Sequence, residues 1–324
     1  MTPPSPSRPV AEARAWDTDD PPRGLLRRAL TSGARLLGRA RQPPRATPAA
    51  APPLQAGAPP AGLRPTGAPP RADIAALRRA WADRLWGKGL ALPGGTAEVI
   101  RLATLLPLTP AHTLLLAGLG ARMAGEVVAG ARGCFVSAHD LLPPPASPET
   151  RGAARRVSAA AFEAGAPGFR PGYHHHAMLL EPFRAGGCPS ALLGAAAAAL
   201  RQGGELVLLD LVARDDGLPG AAGRWLAAEG RAGPPAEAAV EEALAAAGFV
   251  VNVVEDAAPR HRQAVLQGWA AVLDALRAEG GRPATAEAAA LVAEAEAWLL
   301  RLRLLAEGRL RLIRWHASLA RKAG

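Results

Sequence analysis

The chain has 324 residues, room for one large domain or two modest ones, and 49% of them are apolar although only 4% are aromatic. Its net charge of +10 is uneven: residues 1–72 hold 11 Arg against 4 acids, a balance of +7, and the rest hold 27 Lys and Arg against 24 acids, only +3. That distribution argues against nucleic acid as a partner, and two cysteines, Cys134 and Cys188, exclude a disulfide framework and suit a reducing cytoplasm.

Pro, Ala, Gly and Arg dominate residues 1–71, which have few side chains able to build a core and are expected to be disordered. Met1 to Pro22 is proline-rich and acidic and does not read as a signal peptide. Within the tail, residues 24–41 place Leu25, Leu26, Leu30, Leu36 and Leu37 near helical spacing, with Arg27, Arg28, Arg35 and Arg39 mostly on other faces. Two readings stay open: a helix making peripheral contact with an anionic membrane, or a transient helix in an Arg-rich tail. The most apolar window, 102–119, is broken by Pro107 and Pro110 and reads as a loop entering a core strand.

The ordered domain is expected over 72–324. It opens with a helix from Asp73 whose stripe is Ile74, Leu77, Trp81 and Leu85. Runs of strand type (112–118, 133–139, a weak 155–162, 174–182, 205–213, 249–257) then alternate with helical runs (121–131, 188–204, 235–248). A glycine-rich loop follows the fifth of those strands. This alternation predicts an α/β, Rossmann-like fold, with a mainly parallel sheet covered by helices on both faces. Helices over 261–279 and 284–307 form a cap on one side. In GRLRLIRWHA, Leu310 and Leu312 alternate with Arg309 and Arg311, which predicts a last, antiparallel strand at the sheet edge. The run His174–His175–His176 points to alternating faces of a strand, with no Cys or acid at ligand spacing, so no metal site is expected.

The succession RLWGKGLALPGG, LLLAGLG, AALRQGGELVLLDLV, AAGFVVNVVEDAAPRHR and EGRLRLIRWHA resembles the class I S-adenosylmethionine-dependent methyltransferases, in particular bacterial small-molecule methyltransferase-like proteins, over residues 79–317. The resemblance implies S-adenosylmethionine as cofactor and a small-molecule methyl acceptor. The family carries an acid in the first strand and a GxGxG turn; here Gly118 and Gly120 match the second and third glycines, while Leu116 and Leu114 stand at the first glycine and at the acid. It implies further that Ala117, Gly118 and Gly120 line the cofactor, that His139 or Asp140 meets the ribose, and that Glu163 lies near the adenine. Glu181 would face the acceptor as a base, and Trp86, Gly94 and Gly95 would close over the site. Plainer readings stand beside these: Asp140 capping a helix or turn, Glu163 a solvated loop acid, Glu181 a salt-bridged acid, Trp86 a core anchor, and the glycine pair a turn. Two functions follow, a methyltransferase weakened by its degenerate first motif, or a non-catalytic pseudo-methyltransferase that binds a ligand or a partner protein.

Deleting residues 1–71 is expected to leave the thermal midpoint nearly unchanged, since that segment supplies almost nothing to a core. A drop of more than a few degrees in a melting scan would show that it docks.

Overall fold

The computed structural model describes residues 73–141, 156–214, 221–281 and 283–320. The 1–71 tail, with its basic 24–41 run and the membrane contact read from it, lies outside the described residues. Helix α1 (Ile74–Trp86) starts where the Asp73 carboxylate accepts from the Ala75 and Ala76 amides at 3.0 and 3.2 Å, satisfying two donors that a helix start leaves unpaired. It buries Trp81, Leu85 and Trp86, while Ile74 at its first turn stays exposed. Helix α2 (Gly95–Ala103) has no counterpart among the predicted elements. Its glycine start reads locally as a turn, and burial of Val99, Leu102 and Ala103 against the rest of the domain sustains it.

The remaining elements are β1 (Thr113–Gly118), α3 (Ala121–Arg132), β2 (Phe135–Asp140), β3 (Val157–Ala161), β4 (His174–Leu180), α4 (Pro189–Ala199) and β5 (Leu200–Ala213), followed by α5 (Ala221–Glu229), α6 (Glu237–Ala246), β6 (Phe249–Asp256), α7 (Ala258–Glu279), α8 (Thr285–Ala306) and β7 (Leu310–Leu319). They form one seven-stranded sheet of order β3-β2-β1-β4-β5-β7-β6, in which only β7 runs antiparallel to its neighbours. Helices cover both faces. One core gathers Leu114, Leu116, Val136 and Met178 with Trp81, Val99 and Trp269; the other gathers Leu115, Leu179 and Leu208 with Phe183, Leu192 and Leu244. This is the α/β architecture expected, since strands buried on both faces read as continuous apolar runs.

Three further details depart from the sequence reading. The last strand does not lie at the sheet edge: β7 is inserted between β5 and β6, and β6 is the edge. The leucine–arginine alternation suggested a half-exposed strand, but Ile313 and Trp315 are also buried, and Arg311 and Arg314 are neutralised by Glu237 and Glu255. Helix α4 ends at Ala199, four residues before Gly203, because its last carbonyls Ala198 and Ala199 accept from Gly172 and Tyr173 in the approach to β4. The glycine-rich stretch after β5 contains α5, anchored by Trp225, which is fully buried and donates from Nε1 to the Glu229 carboxylate at 2.6 Å.

The order of the strands reverses between β1 and β4, and ligands of open parallel sheets bind at the carboxyl ends of strands at such a point. Here those ends are Gly118 and Leu180. The cap helices α7 and α8 begin within three residues of their expected starts. They pack with α1, which is tied to α8 by Arg78 on Glu294 and by the Trp81 indole on the Glu287 carbonyl, both 2.9 Å.

Buried histidines make the fold acid-sensitive. Burial lowers His174 to about 4, His176 to about 4 and His261 to about 3. Each is held neutral when folded but binds a proton near its ordinary value when unfolded, so the stability present above about 6.5 is lost as pH falls toward 4. Asp210, raised to about 7 by burial, works the other way over part of that window, one group against three. The thermal midpoint should therefore hold from pH 8 to 7 and fall by several degrees between pH 6.5 and 4.5, and His174→Leu should flatten that fall in pH-dependent melting scans.

Candidate functional site

The glycine turn after β1 is set by close backbone approach. Gly118 has φ +117°, and a Cβ there would lie 2.0 Å from the Leu180 carbonyl oxygen. The Leu119 amide donates to that same oxygen at 2.8 Å, so β1 and β4 stay joined up to the turn. Gly120, φ +67°, precedes α3, and a Cβ there would come within 3.2 Å of the Gly89 oxygen and 3.3 Å of the Ala91 nitrogen. What approaches this glycine is the chain's own backbone before α2.

Asp140, the last residue of β2, completes this corner. Its carboxylate accepts from the Gly120 amide at 3.2 Å and from the Arg122 amide at 2.8 Å, so it caps the start of α3 and occupies two of the amides a bound anion would use. The structure thus brings Gly118, Gly120 and Asp140 together. Ala117, fully buried, belongs to the core on the other face of the sheet. His139 sits edge-on to Phe169 at 4.9 Å, and burial lowers its proton affinity. Glu163 is exposed, with its carbonyl closing a turn on the Ala166 amide at 3.1 Å.

Trp86 is an anchor between the N-terminal segment and the cap. Its ring meets Trp298 of α8 edge-on at 5.1 Å and fills the space above Gly268 of α7, where a Cβ would lie 2.5 Å from the indole. Gly94 and Gly95 take positive φ at the start of α2, and a Cβ on Gly95 would lie 2.2 Å from the Trp86 oxygen. Residues 87–95 form a strap across Gly120, with positive φ also at Gly87 and Gly89.

Glu181 turns the chain just after β4 at φ +41°, the one non-glycine residue with positive φ among the described residues. Arg301 of α8 grips its carboxylate with two bonds, Nη1 to Oε1 at 2.8 Å and Nη2 to Oε2 at 3.1 Å, and Arg231 Nη1 adds a third at 3.2 Å. Arg301 also donates to both oxygens of Glu229 at 2.6 Å, and Arg184 reaches Glu229 at 3.0 Å. Burial opposes ionisation of Glu181, but Arg301, Arg231 and Arg184 together outweigh it and hold the carboxyl well below the usual range. A carboxylate so held is a poor proton acceptor at neutral pH. Asp210 of β5, fully buried, accepts from the Phe183 and Leu211 amides at 2.8 and 2.7 Å; desolvation raises it to about 7, against the opposing charge of Arg231.

Sequence reasoning found Glu181 but not Asp210, Glu229, Arg231 or Arg301. Their partners lie far apart along the chain, and only the arginine inside the apolar run of α8 hinted at a buried charge. Beside this cluster a cavity of about 10 Å³, large enough for one water-sized molecule, is lined by Leu92, Pro93, Leu209, Arg260, His261 and Leu312 among others. The three consecutive histidines diverge: His174 packs against Tyr173, His175 Nδ1 accepts from the Thr113 amide at 3.0 Å, and His176 Nδ1 accepts from the Glu205 amide at 3.3 Å. Among the described residues no three His, Cys, Asp or Glu are grouped to hold a metal ion.

No protein-family model matches the sequence, and no curated protein matches it. Solved structures do. Haemonchus contortus phosphoethanolamine N-methyltransferase 2 in complex with S-adenosyl-L-methionine aligns over 78% of this chain and 58% of its own, at 16% identity and TM-score 0.64. Geranyl diphosphate C-methyltransferase from Streptomyces coelicolor A3(2), in complex with Mg2+, geranyl diphosphate and S-adenosyl-L-homocysteine, aligns over 69% and 77%, at 17% identity and TM-score 0.53. The [4+2]-cyclase SpnF aligns over 76% and 92%, at 18% identity and TM-score 0.52. The chain spans under three fifths of the length of the Haemonchus protein. Its fold is that of the class I S-adenosylmethionine-dependent methyltransferases.

The residues present fit such a cofactor only in part. The glycine corner has the required close approach, but Leu114 and Leu116 are fully buried core residues, Asp140 is engaged by α3, and Glu163 is exposed.

Removing one side of the buried charge cluster leaves the other uncompensated. Arg301→Met is expected to cost about 3–5 kcal/mol of unfolding free energy. Urea denaturation checks this, and a loss under about 1 kcal/mol would show the cluster to be solvated.

Proposed function

We propose that the chain is an S-adenosylmethionine-dependent methyltransferase for a small-molecule acceptor, with cofactor affinity reduced by its degenerate first motif. The observation that carries this reading is the close backbone approach at Gly118 and Gly120, at the switch point of a class I methyltransferase fold. The neighbours bound to S-adenosylmethionine or its demethylated product support it. Methyl transfer asks the protein mainly to align nucleophile, methyl and sulfur and to keep water out, and the strap of residues 87–95 with its Trp86 anchor is placed to do so. A base is needed only for an acceptor that arrives protonated, and Glu181 does not supply one while Arg301 grips it. The free cysteines Cys134 and Cys188 support a cytoplasmic setting for this activity.

A second reading, the non-catalytic pseudo-methyltransferase, is favoured by Asp140: its carboxylate stands at the start of α3 where a ligand's negative end would be received. The cyclase among the structural neighbours supports it as well, since one fold serves more than one chemistry.

Calorimetric titration of the full chain with S-adenosylmethionine and S-adenosylhomocysteine separates the two. Loss of one charged hydrogen bond, about 1.5–3 kcal/mol, predicts dissociation constants roughly tenfold to a hundredfold weaker than micromolar. Binding should shift the amide resonances of Gly118, Gly120 and Asp140. No heat and no shift at millimolar ligand would leave the pseudoenzyme. Leu114→Asp is no clean restoration, because it would bury a carboxylate in the core between Val136 and His176.

A further inference from the structure

Four of the six exposed large apolar side chains among the described residues lie on one strand: Val250, Val251, Val253 and Val254 of β6, exposed by 54%, 37%, 43% and 48%. β6 ends the sheet and is bonded to β7 on one side only. Edge strands are ordinarily blunted by lysine, proline, an inward charge or a bulge; the stretch Phe249–Val254 has no lysine, proline or charge, and its one bulge falls at its centre.

Its free edge is self-complementary. At one end of β6 the Ala320 amide donates to the Gly248 carbonyl, at the other the Ala257 amide donates to the Leu312 carbonyl, and a bulge falls between Val251 and Val253. Antiparallel ladders alternate residues bonded inward with residues turned outward. Counting from each end, the backbone groups of Phe249 and Val251 before the bulge, and of Val254 and Asp256 after it, face away from β7. That set is symmetric about the Asn252–Val253 peptide. An antiparallel second copy pairs Val251 with Val254 and Phe249 with Asp256, each twice, as a two-fold interface requires.

Charge also suits a second copy. Glu255 is already bound by Arg314 at 2.6 Å and Arg260 at 2.7 Å, and Asp256, whose carboxylate accepts from the Ala258 amide at 2.9 Å, falls opposite Phe249, so like charges are not set opposite each other. An open groove of about 560 Å³, lined by Ala197, Leu200, Ala247, Gly248 and Leu319 among others, extends the apolar surface at the start of the strand. We propose that two copies of this chain associate through β6, joining two seven-stranded sheets into one across a two-fold axis.

Sedimentation equilibrium of the full chain at micromolar concentration should give twice 33.3 kDa. The double variant Val251→Lys with Val254→Lys, which sets like charges opposite each other, should give 33.3 kDa with an unchanged circular dichroism spectrum, and Ile74→Lys, at the other exposed aliphatic side chain, should leave the dimer intact. In the unaltered chain, hydrogen exchange at the Phe249, Val251 and Val254 amides should slow as concentration rises; this holds the proposal to account even if the lysine variant fails to fold. A monomer at every concentration, a dimer that survives the double lysine change, or exchange at these amides independent of concentration would each overturn it.

Discussion

The grip of Arg301 on Glu181 joins the cap to the sheet. Two charges fully out of water are costly, and they are held here because the guanidinium meets two carboxylates, with every contact at 2.6 to 3.1 Å. The guanidinium also lies 4.7 Å above the ring of Trp298, which meets Trp86 edge-on, and Trp86 opens the strap that crosses Gly120. From the end of β4 to the N-terminal segment, each element is seated on the one before.

The glycine corner and the charge cluster meet at a single peptide. The Leu180 carbonyl oxygen touches Gly118 and accepts from Leu119, and the next residue is Glu181, turned into the left-handed region so that its side chain reaches Arg301. The glycine corner and the charge cluster are therefore mechanically coupled. A shift that opened space beside Gly118 would draw on Glu181, and loosening the cap would relax the corner.

The same coupling bears on how the fold is used. In this chain the space where a ligand would be received is approached by the chain's own groups: Asp140 on α3, the 87–95 strap on Gly120, and Arg301 above β4. Structural neighbours that include both methyltransferases and a cyclase place weight on such site details, not on strand order, as the source of chemistry.

Much of the scaffold is legible along the sequence. β1 and the central parts of β4 (177–180) and β5 (206–209) are apolar runs because parallel strands covered on both faces bury side chains on both sides, and the glycines at 118 and 120 announce a turn where backbones approach closely. Those signals are local, so residue type and spacing determine them. Tertiary structure alone decided that β7 enters between β5 and β6, that α2 and α5 are helices, and that Asp140 spends its carboxylate on a helix start. It also decided the partners of Glu181, since Arg231 and Arg301 lie 50 and 120 residues away. A pairing over such separations leaves no period in the sequence, and burial of both charges is settled only when the sheet and the cap have come together.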